Sequence, residues 1–315
     1  MSIWTANDIP NLKGKVAIVT GANSGIGFPT ALELARKEAR VYLACRDQGR
    51  GEDAVKRIKD QVPSADAIFA KLDVSDLGSV RDFAKFVKSK ESKVDLLVNN
   101  AGIMALPTLE HTKDGFEKQM GTNHIGHFAL TGLLFPLLKA SKSSRVVSVS
   151  SSGHRFFGTK FDLDDFDYKK DPSKYSAFTA YGNSKLANLL FTLELNKRAK
   201  KSGLNVISVG CHPGGTATNL VHSGVTSRDS YTGRFTAYLS TWFLQNEAMG
   251  SLPTLFAATS PDVAGNDYYG PNGWFGSELG GYPKKCETTE LAKDELFSSA
   301  LWKKSEELTG VKFGI

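Results

Sequence analysis

Short apolar runs rich in β-branched residues alternate with longer amphipathic stretches along most of this chain. Runs of this length, bounded by glycine and polar residues, are typical of buried strands. They cover residues 15–20, 40–44, 67–72, 94–98, 144–149 and 205–210, with a final strand and turn at 268–273. The amphipathic stretches predict helices over 52–61, 79–88, 181–200, 248–259 and 290–308. This alternation predicts an α/β fold, one doubly wound parallel sheet with helices on both faces.

No internal repeat, low-complexity tract or Pro/Gly-rich linker divides the chain, so we expect residues 1–315 to form a single domain. An aromatic stripe follows the sixth predicted strand. Such a stripe is most often part of a core or a dimer contact, but its position also favours a lid over an apolar substrate, around residues 215–250. Residues 265–315 are interpreted as a C-terminal extension of the same domain.

Composition narrows the class of protein. With 41% hydrophobic and 23% charged residues, the 315-residue chain is typical of a soluble globular protein. Its formal net charge is 39 − 33 = +6, and the basic residues are scattered, so no nucleic-acid partner is indicated. The first residues lack the apolar segment of a signal peptide, and the longest apolar run, 128–138, is too short to span a bilayer. We therefore expect a cytoplasmic protein without a transmembrane segment.

The cysteines and two of the histidines offer little chemistry. Cys45, Cys211 and Cys286 are odd in number and far apart, which favours neither a disulfide framework nor a zinc site. His124 and His127 resemble a metal pair but have no third ligand at a suitable spacing, so we interpret them as core or interface residues. No metal is predicted.

A glycine-rich turn directly follows the first predicted strand. Gly21, Gly25 and Gly27 have the spacing G-xxx-G-x-G, and a helical pattern begins behind them. Glycines allow a tight turn and a close approach of the backbone, and the helix N-terminus that follows attracts a pyrophosphate. The layout predicts the start of a Rossmann-like dinucleotide-binding unit, with an ordinary strand-to-helix turn as the alternative.

The end of the second predicted strand bears on the choice of cofactor. Folds that prefer NAD place an acid here to bind the ribose 2′-hydroxyl. The first charged residue is instead Arg46, whose guanidinium suits a 2′-phosphate, although Asp47 follows at once. We predict NADP (NADPH) rather than NAD, with surface charge as the alternative role for both residues.

Polar or small residues also follow the third to sixth predicted strands. Asp73 could accept a hydrogen bond from adenine or could instead form a turn or helix cap with Ser75 and Asp76. Small residues at 99–102, 150–153 and 211–218 follow the other strands. Open α/β sheets bind ligands at the carboxyl ends of their strands, so we expect the ligand there.

Tyr181 and Lys185 are four residues apart on a predicted helix and so lie on one face. A neighbouring ammonium would lower the pKa of the phenol and make it a usable general acid or base. Such a pair also arises by chance on helix surfaces. Asn123, inside an otherwise apolar helical stretch, is interpreted as a kink residue, a water-binding residue, or both.

Taken together, the motifs resemble the short-chain dehydrogenase/reductase family over nearly the whole chain. They are TGANSGIG at 20–27, Asp73-Val74, NNAG at 99–102, Ser150-Ser151, Tyr181-xxx-Lys185 and Pro213-Gly214-xxx-Thr218. ACRD at 44–47, TNHIGHF at 122–128, and LW at 301–302 with SEELTG at 305–310 resemble its retinol-dehydrogenase-like branch.

The resemblance implies hydride transfer between a nicotinamide and a carbonyl or alcohol. It implies that Tyr181 is the general acid or base and that Lys185 lowers its pKa and binds the nicotinamide ribose. It further implies that Ser151, preferred to Ser150 and Ser152, binds the substrate oxygen, and that Asn123 orients a water in the proton relay. The implied cofactor-binding residues are Gly21, Asn23, Ser24, Gly25, Ile26, Gly27, Arg46, Asp73, Val74, Asn100, Ala101, Gly102, Tyr181, Lys185, Pro213, Gly214, Gly215, Thr216 and Thr218.

The main hypothesis is an NADP(H)-dependent oxidoreductase, monomeric or homodimeric, acting on an apolar aldehyde, ketone or alcohol. One alternative keeps the cofactor but reduces a C=C bond, because protochlorophyllide reductases share the Ala-Cys-Arg-Asp and Tyr-xxx-Lys motifs. The other alternative is a non-catalytic NADP-binding sensor or scaffold. Both the tyrosine and the lysine are present, which favours an enzyme.

Overall fold

The computed structural model describes residues 3–216, 245–273 and 278–315. Eight strands form one sheet in the order β3-β2-β1-β4-β5-β6-β7-β8. Their bounds are β1 Val16–Thr20, β2 Arg40–Cys45, β3 Ala67–Lys71, β4 Leu96–Asn99, β5 Ser144–Val149, β6 Val206–Cys211, β7 Tyr268–Pro271 and β8 Pro283–Lys285. The predicted α/β fold is confirmed.

The first seven strands are parallel, and the eighth is not. β1 pairs with both β2 and β4, so the chain reverses its direction of winding beside β1, as in a doubly wound sheet. β8 pairs with β7 in the antiparallel sense, with Gly270 opposite Lys284. The sequence did not predict β8, because its Pro-Lys-Lys composition lacks the apolar pattern of the other strands.

Helices cover both faces of the sheet, as predicted. Their bounds are α1 Gly27–Arg36, α2 Gln48–Gln61, α3 Leu77–Lys90, α4 Lys118–Met120, α5 Gly126–Ala140, α6 Gly153–Phe156, α7 Ala177–Lys201, α8 Glu247–Thr259 and α9 Glu295–Thr309. Several helix starts differ from prediction, and α3 and α7 begin at 77 and 177 rather than at 79 and 181. The side chain of Asp47 accepts a hydrogen bond from the Arg50 amide and starts α2 early, and Asp294 caps α9, so the predicted helix 290–308 begins at 295.

The strands divide their side chains between two hydrophobic cores because successive residues point to opposite faces. Val16 and Ile18 of β1 pack in the core beneath α3, α5, α7 and α9, whereas Ala17 and Val19 pack in the core beneath α1, α2 and α8. Both faces of the sheet are therefore buried, which accounts for the near-continuous apolar runs that made the strands recognisable.

The helical stretch around Asn123 is irregular. α4 runs into a π-turn over Gly121–Ile125, and α5 follows directly. The Gly126 amide donates to the Gly121 carbonyl oxygen, five residues back. A side chain on Gly126 would collide with the carbonyl oxygen of Val74, so α5 passes very close to the residues that follow β3.

Among residues 3–216, 245–273 and 278–315, no helix is long and apolar enough to cross a membrane. Most of the predicted lid, residues 217–244, lies outside the described residues, and so does Thr218. The lid and the single domain over 1–315 therefore stay predictions.

Candidate active site

The turn after β1 is fastened to the end of β4 by Thr20. Its hydroxyl oxygen accepts hydrogen bonds from the Asn100 and Ala101 amides, both at 2.9 Å. The Asn100 side-chain amide donates to the Thr20 carbonyl oxygen at 2.7 Å. Parallel strands bring these residues together because their carboxyl ends share one edge of the sheet. No role was predicted for Thr20 from the sequence, although this residue opens the glycine-rich motif.

The glycines of this turn are required by its geometry. Gly21 and Gly25 have φ of 65° and 55°, in the left-handed region. A Cβ on Gly27 would lie 2.4 Å from the Gly21 carbonyl oxygen and 2.6 Å from the Asn100 side-chain nitrogen. The turn formed by Gly21, Asn23, Ser24, Gly25 and Ile26 therefore packs so closely against position 27 that only glycine fits there.

The first turn of α1 has no side-chain cap. Ile26 occupies the N-cap position and makes no capping hydrogen bond. The first amide groups of a helix have no partner within the helix and attract anions. The chemistry of this turn fits the pyrophosphate of a dinucleotide.

Arg46 and Asp73 lie next to each other beyond the ends of β2 and β3. An Arg46 guanidinium nitrogen is 3.9 Å from an Asp73 carboxylate oxygen, and the arginine side chain is 75% exposed. The other Asp73 oxygen accepts hydrogen bonds from the Ser75 amide and hydroxyl at 2.9 and 2.6 Å. Asp73 thus forms the turn that the sequence left as one alternative, and the largely exposed Arg46 guanidinium lies at salt-bridge distance from it.

Tyr181 and Ser151 meet beside Gly153. A Cβ on Gly153 would lie 3.2 Å from the Tyr181 ring and 3.3 Å from the Ser151 hydroxyl oxygen. Burial raises the pKa of Tyr181, and its hydrogen bond with the Ser151 side chain opposes that rise. The predicted lowering of this pKa by Lys185 is therefore wrong, because the removal of water outweighs the opposing effect of the Ser151 side chain.

Lys185 is buried one helical turn after Tyr181. Its ammonium nitrogen lies 5.7 Å from the centre of the Tyr181 ring and donates to the Val149 carbonyl oxygen at 3.0 Å. Burial lowers the pKa of Lys185 to about 8, with an opposing contribution from Cys211. Its charge is therefore sensitive to pH near neutrality.

The two serines at the end of β5 have different partners. The Ser150 hydroxyl donates to the Lys185 carbonyl oxygen at 2.7 Å and so joins β5 to the backbone of α7. The Ser151 hydroxyl oxygen accepts from the Gly153 amide at 3.0 Å and lies beside Tyr181. Ser151 therefore lies beside Tyr181, whereas the Ser150 hydroxyl is engaged by the backbone of α7, and the substrate-binding role of Ser151 stays a prediction.

Asn123 is buried and holds the segment after β4. It accepts from the Ile103 amide and donates to the Ile103 carbonyl oxygen, both at 2.9 Å, and donates to the Ser184 hydroxyl at 2.9 Å. A Cβ on Gly102 would lie 3.1 Å from the Asn123 oxygen and 3.4 Å from the Lys185 nitrogen. The amide and the ammonium therefore border the same small space.

His127 joins the backbone of Asn123 to the turn after β1. Its Nδ1 lies 3.1 Å from the Asn123 carbonyl oxygen, and its Nε2 lies 2.9 Å from the Thr20 hydroxyl. Burial lowers the pKa of His127 to about 4, so the ring is neutral. A neutral ring that donates from Nδ1 accepts a hydrogen bond from the Thr20 hydroxyl at Nε2. His124 bonds Ser305 in the core at 3.1 Å, as a core histidine should.

The segment after β6 lies against the C-terminal part of the chain. Gly214 has φ of 69°, and its amide donates to His212 Nδ1 at 3.3 Å. The Thr216 hydroxyl donates to the Pro213 carbonyl oxygen at 2.9 Å, and the Gly215 amide donates to the Leu279 carbonyl oxygen at 2.8 Å. The predicted nicotinamide-side residues Pro213 to Thr216 therefore form one ordered turn.

All three cysteines are free and buried, and one of them lies in a group of possible metal ligands. Within the described ranges, the ligand atoms of His212, Glu278 and Cys286 lie within 4.8 Å of one another. However, the Arg155 guanidinium already donates to the Glu278 carboxylate at 2.7 Å. We interpret the group as part of an ion-pair cluster.

Comparisons with known proteins show which family the chain resembles. The family model described as short chain dehydrogenase matches residues 15–159. Retinol dehydrogenase 12 from Mus musculus is 39% identical over 302 residues, which cover 96% of this chain and 88% of that protein. Retinol dehydrogenase 13 from Homo sapiens is 37% identical over 302 residues, covering 96% and 86%.

Solved structures share the fold. An uncharacterized protein from Mycobacterium Paratuberculosis is 38% identical, with a TM-score of 0.80 and coverage of 100% of both chains. Salutaridine reductase from Papaver somniferum has a TM-score of 0.61 at 23% identity, covering 81% of this chain and 99% of that one, and shows the likeness of fold alone.

Proposed function

The chain belongs to the short-chain dehydrogenase/reductase family, in its retinol-dehydrogenase-like branch, and we propose that it transfers a hydride between NADP(H) and an apolar aldehyde, ketone or alcohol. Members of this oxidoreductase family bind nicotinamide cofactors and act on small molecules. The observation that carries the proposal is the meeting of Ser151, Tyr181 and Lys185 at the carboxyl edge of the sheet, beside a turn that fits a pyrophosphate.

The nicotinamide, when bound, would supply or accept the hydride, and the chain's own residues would donate or accept the proton. In the reductive direction the Tyr181 hydroxyl donates its proton to the carbonyl oxygen, and the Ser151 hydroxyl donates a hydrogen bond to that oxygen as negative charge develops. In the oxidative direction Tyr181 takes the alcohol proton. The closeness of Ser151 and Tyr181 beside Gly153 supports this pairing of roles.

Lys185 and Asn123 would support the proton transfer by Tyr181. We propose that the Lys185 ammonium binds the nicotinamide ribose and favours the phenolate of Tyr181 once the cofactor excludes water. Asn123 and Lys185 border the same space at Gly102, which suits a water held between them. Such a water would return protons to the lysine from outside the site.

The surface beside Tyr181 favours an apolar substrate. Phe178 precedes Tyr181 by about one turn of α7, and its ring centre is 5.2 Å from that of Phe157. Phe156, Phe157 and Phe178 are 76%, 41% and 45% exposed, which is unusual for large apolar side chains placed together. The similar curated proteins are named retinol dehydrogenases, and retinol is itself an apolar alcohol.

A substrate screen tests the proposal directly. Purified protein is incubated with NADPH and a panel of aliphatic, aromatic and polyene aldehydes and ketones, and NADPH consumption is followed with identification of products. We expect alcohols, formed fastest from the apolar members. A product with a reduced C=C bond and its carbonyl intact would favour the C=C reductase, and tight cofactor binding without any turnover would favour the sensor or scaffold.

Arg46 is expected to set the cofactor preference. The Arg46→Ala variant should bind NADPH roughly ten- to a hundredfold more weakly, because a hydrogen bond between charged groups contributes about 1.5–3 kcal/mol, while NADH affinity stays unchanged. Fluorescence titration of both cofactors measures this. Arg50→Ala, on the exposed side of α2, is the matched control. Equal affinities of the two cofactors in the wild type, unaltered by Arg46→Ala, would refute the prediction.

The charge of Lys185 should make cofactor binding depend on pH. Its pKa of about 8 means that the ammonium predominates below pH 8 and is lost as the pH rises above it. We expect cofactor affinity to fall about fivefold between pH 7 and 10, because a neutral amine makes the weaker hydrogen bond. Binding titrations across this range should show weaker, pH-independent affinity in Lys185→Met and a wild-type profile in Lys197→Met. The same pH profile in Lys185→Met would assign the titration to another group.

A further inference from the structure

Glu278 has a backbone conformation that its residue type rarely adopts. Its φ of 52° lies in the left-handed region, which favours glycine. Strain of this kind persists only where the surroundings fix it, and it is concentrated at functional sites. The Glu278 side chain is only 13% exposed, although the residue lies in the segment before β8, far in sequence from the predicted catalytic residues.

The Glu278 carboxylate joins two segments that border the active site. Arg155 donates to one of its oxygens at 2.7 Å, and His212 Nε2 lies 3.3 Å from the same oxygen. Arg155 lies in α6, four residues after Ser151, and His212 directly precedes Pro213. These contacts lower the pKa of Glu278 to about 2, so the carboxylate is ionised at neutral pH.

The protonation of His212 suits this arrangement. The Gly214 amide donates to Nδ1, so the neutral ring carries its proton on Nε2, the nitrogen that faces the carboxylate. The approach is not aligned as a hydrogen bond, and the contact is therefore electrostatic. Burial lowers the pKa of His212 and keeps the ring neutral, with Glu278 opposing that effect.

The backbone next to Glu278 adds a third connection. A Cβ on Gly214 would lie 2.7 Å from the Leu279 carbonyl oxygen and 2.9 Å from that of Glu278. The Gly215 amide donates to the same Leu279 oxygen at 2.8 Å. The segment 278–279 therefore contacts the turn after β6 through both backbone and side chain, and the turn after β5 through Arg155.

From these contacts we propose that Glu278 is a positioning residue, which fixes the distance between the turn that carries Ser151 and the turn Pro213–Gly215 on the nicotinamide side. The inference rests on the proposed function, because these two turns would hold the substrate oxygen and the nicotinamide respectively. An error of about 1 Å in such a distance is enough to slow hydride transfer up to a hundredfold.

The test compares Glu278→Gln, which keeps the shape and removes the charge, with Glu278→Asp, which keeps the charge. Glu290→Gln, at an exposed position near α9, is the matched control. We expect kcat of Glu278→Gln to fall on the order of tenfold at an unchanged KM for the carbonyl substrate, with partial recovery in Glu278→Asp. Arg155→Gln should show a similar loss, and the double variant with Glu278→Gln should lose no more than either single variant.

Cofactor binding supplies a readout that does not need turnover. Glu278→Gln should bind NADPH more weakly but 2′-phospho-ADP-ribose, which lacks the nicotinamide, as tightly as the wild type does. Thermal unfolding of each variant measures the folded fraction, by which both readouts are corrected. The proposal would be overturned if the corrected kcat of Glu278→Gln, and the ratio of its NADPH affinity to its 2′-phospho-ADP-ribose affinity, equalled those of Glu290→Gln. A wild type that binds NADPH but reduces no carbonyl would refute the proposed function alone, and the two affinities would still decide the role of Glu278.

Discussion

Replacing Tyr181 by phenylalanine is expected to lower kcat by about 10²- to 10⁴-fold, the range that a positioned general acid or base contributes. The substitution removes only a hydroxyl, so the ring should keep its place beside Gly153 and Ser151. Cofactor affinity and thermal stability should stay close to wild type. Single-turnover measurement of hydride transfer from pre-bound NADPH separates the chemical step from binding.

Tyr168→Phe is the matched control, because it removes the same hydroxyl from a tyrosine outside the predicted catalytic set. Its kcat should remain within about twofold of wild type, since substitutions away from special contacts usually change free energies by less than about 0.5 kcal/mol. If Tyr181→Phe reduced carbonyl substrates as fast as this control, the proton would have to come from another group, and the assigned role of Tyr181 would be wrong.

The Gly27→Ala variant is expected to impair cofactor binding more than any surface change. The new methyl group would lie 2.4 Å from the Gly21 carbonyl oxygen and 2.6 Å from the Asn100 side-chain nitrogen, so the turn and the end of β4 must move apart. Overpacking of this kind costs about 1–3 kcal/mol. Expressed in the cofactor Kd, this is roughly a five- to hundredfold loss. Titration with NADPH measures the loss of affinity, and chemical unfolding measures the loss of stability.

Gly49→Ala provides the contrast within the same chain. A Cβ there would lie 3.6 Å from an Asp47 oxygen, an ordinary contact, and the position is helical. Alanine should therefore raise the free energy of unfolding by about 0.5–1 kcal/mol and leave NADPH affinity unchanged. Equal NADPH affinities for Gly27→Ala and Gly49→Ala would show that the turn after β1 does not approach the cofactor.

The sequence predicted the fold well because its two strongest signals are local. Buried parallel strands require continuous apolar runs, and the glycine-rich turn requires glycine at positions that admit no side chain, such as Gly27. The candidate site followed from topology, since the ends of successive parallel strands meet at one edge. The alternating runs and the motif order were therefore sufficient to bring Ser151, Tyr181 and Lys185 together.

What the sequence could not predict depends on burial and on distant contacts. The pKa of Tyr181 was judged from the spacing to Lys185, but burial, which spacing does not report, has the larger effect. Glu278 and His212 have no local pattern that relates them. Thr20 and His127 had a weak signal, because a polar residue inside an apolar stretch needs a partner, but the pattern does not identify that partner.

The π-turn at Gly121–Ile125 changes the phase between the helical segments on either side of it. Each residue of an α-helix advances the side chains by about 100°, so one extra residue in a turn rotates the preceding segment by that amount relative to α5. Asn123 can consequently face Ile103 and Ser184 while Phe128 and Leu134 remain in the core. Deleting one residue there would restore the α-helical phase and turn Asn123 away from Ile103 and Ser184, so helical regularity and the present position of Asn123 are opposing demands on this segment.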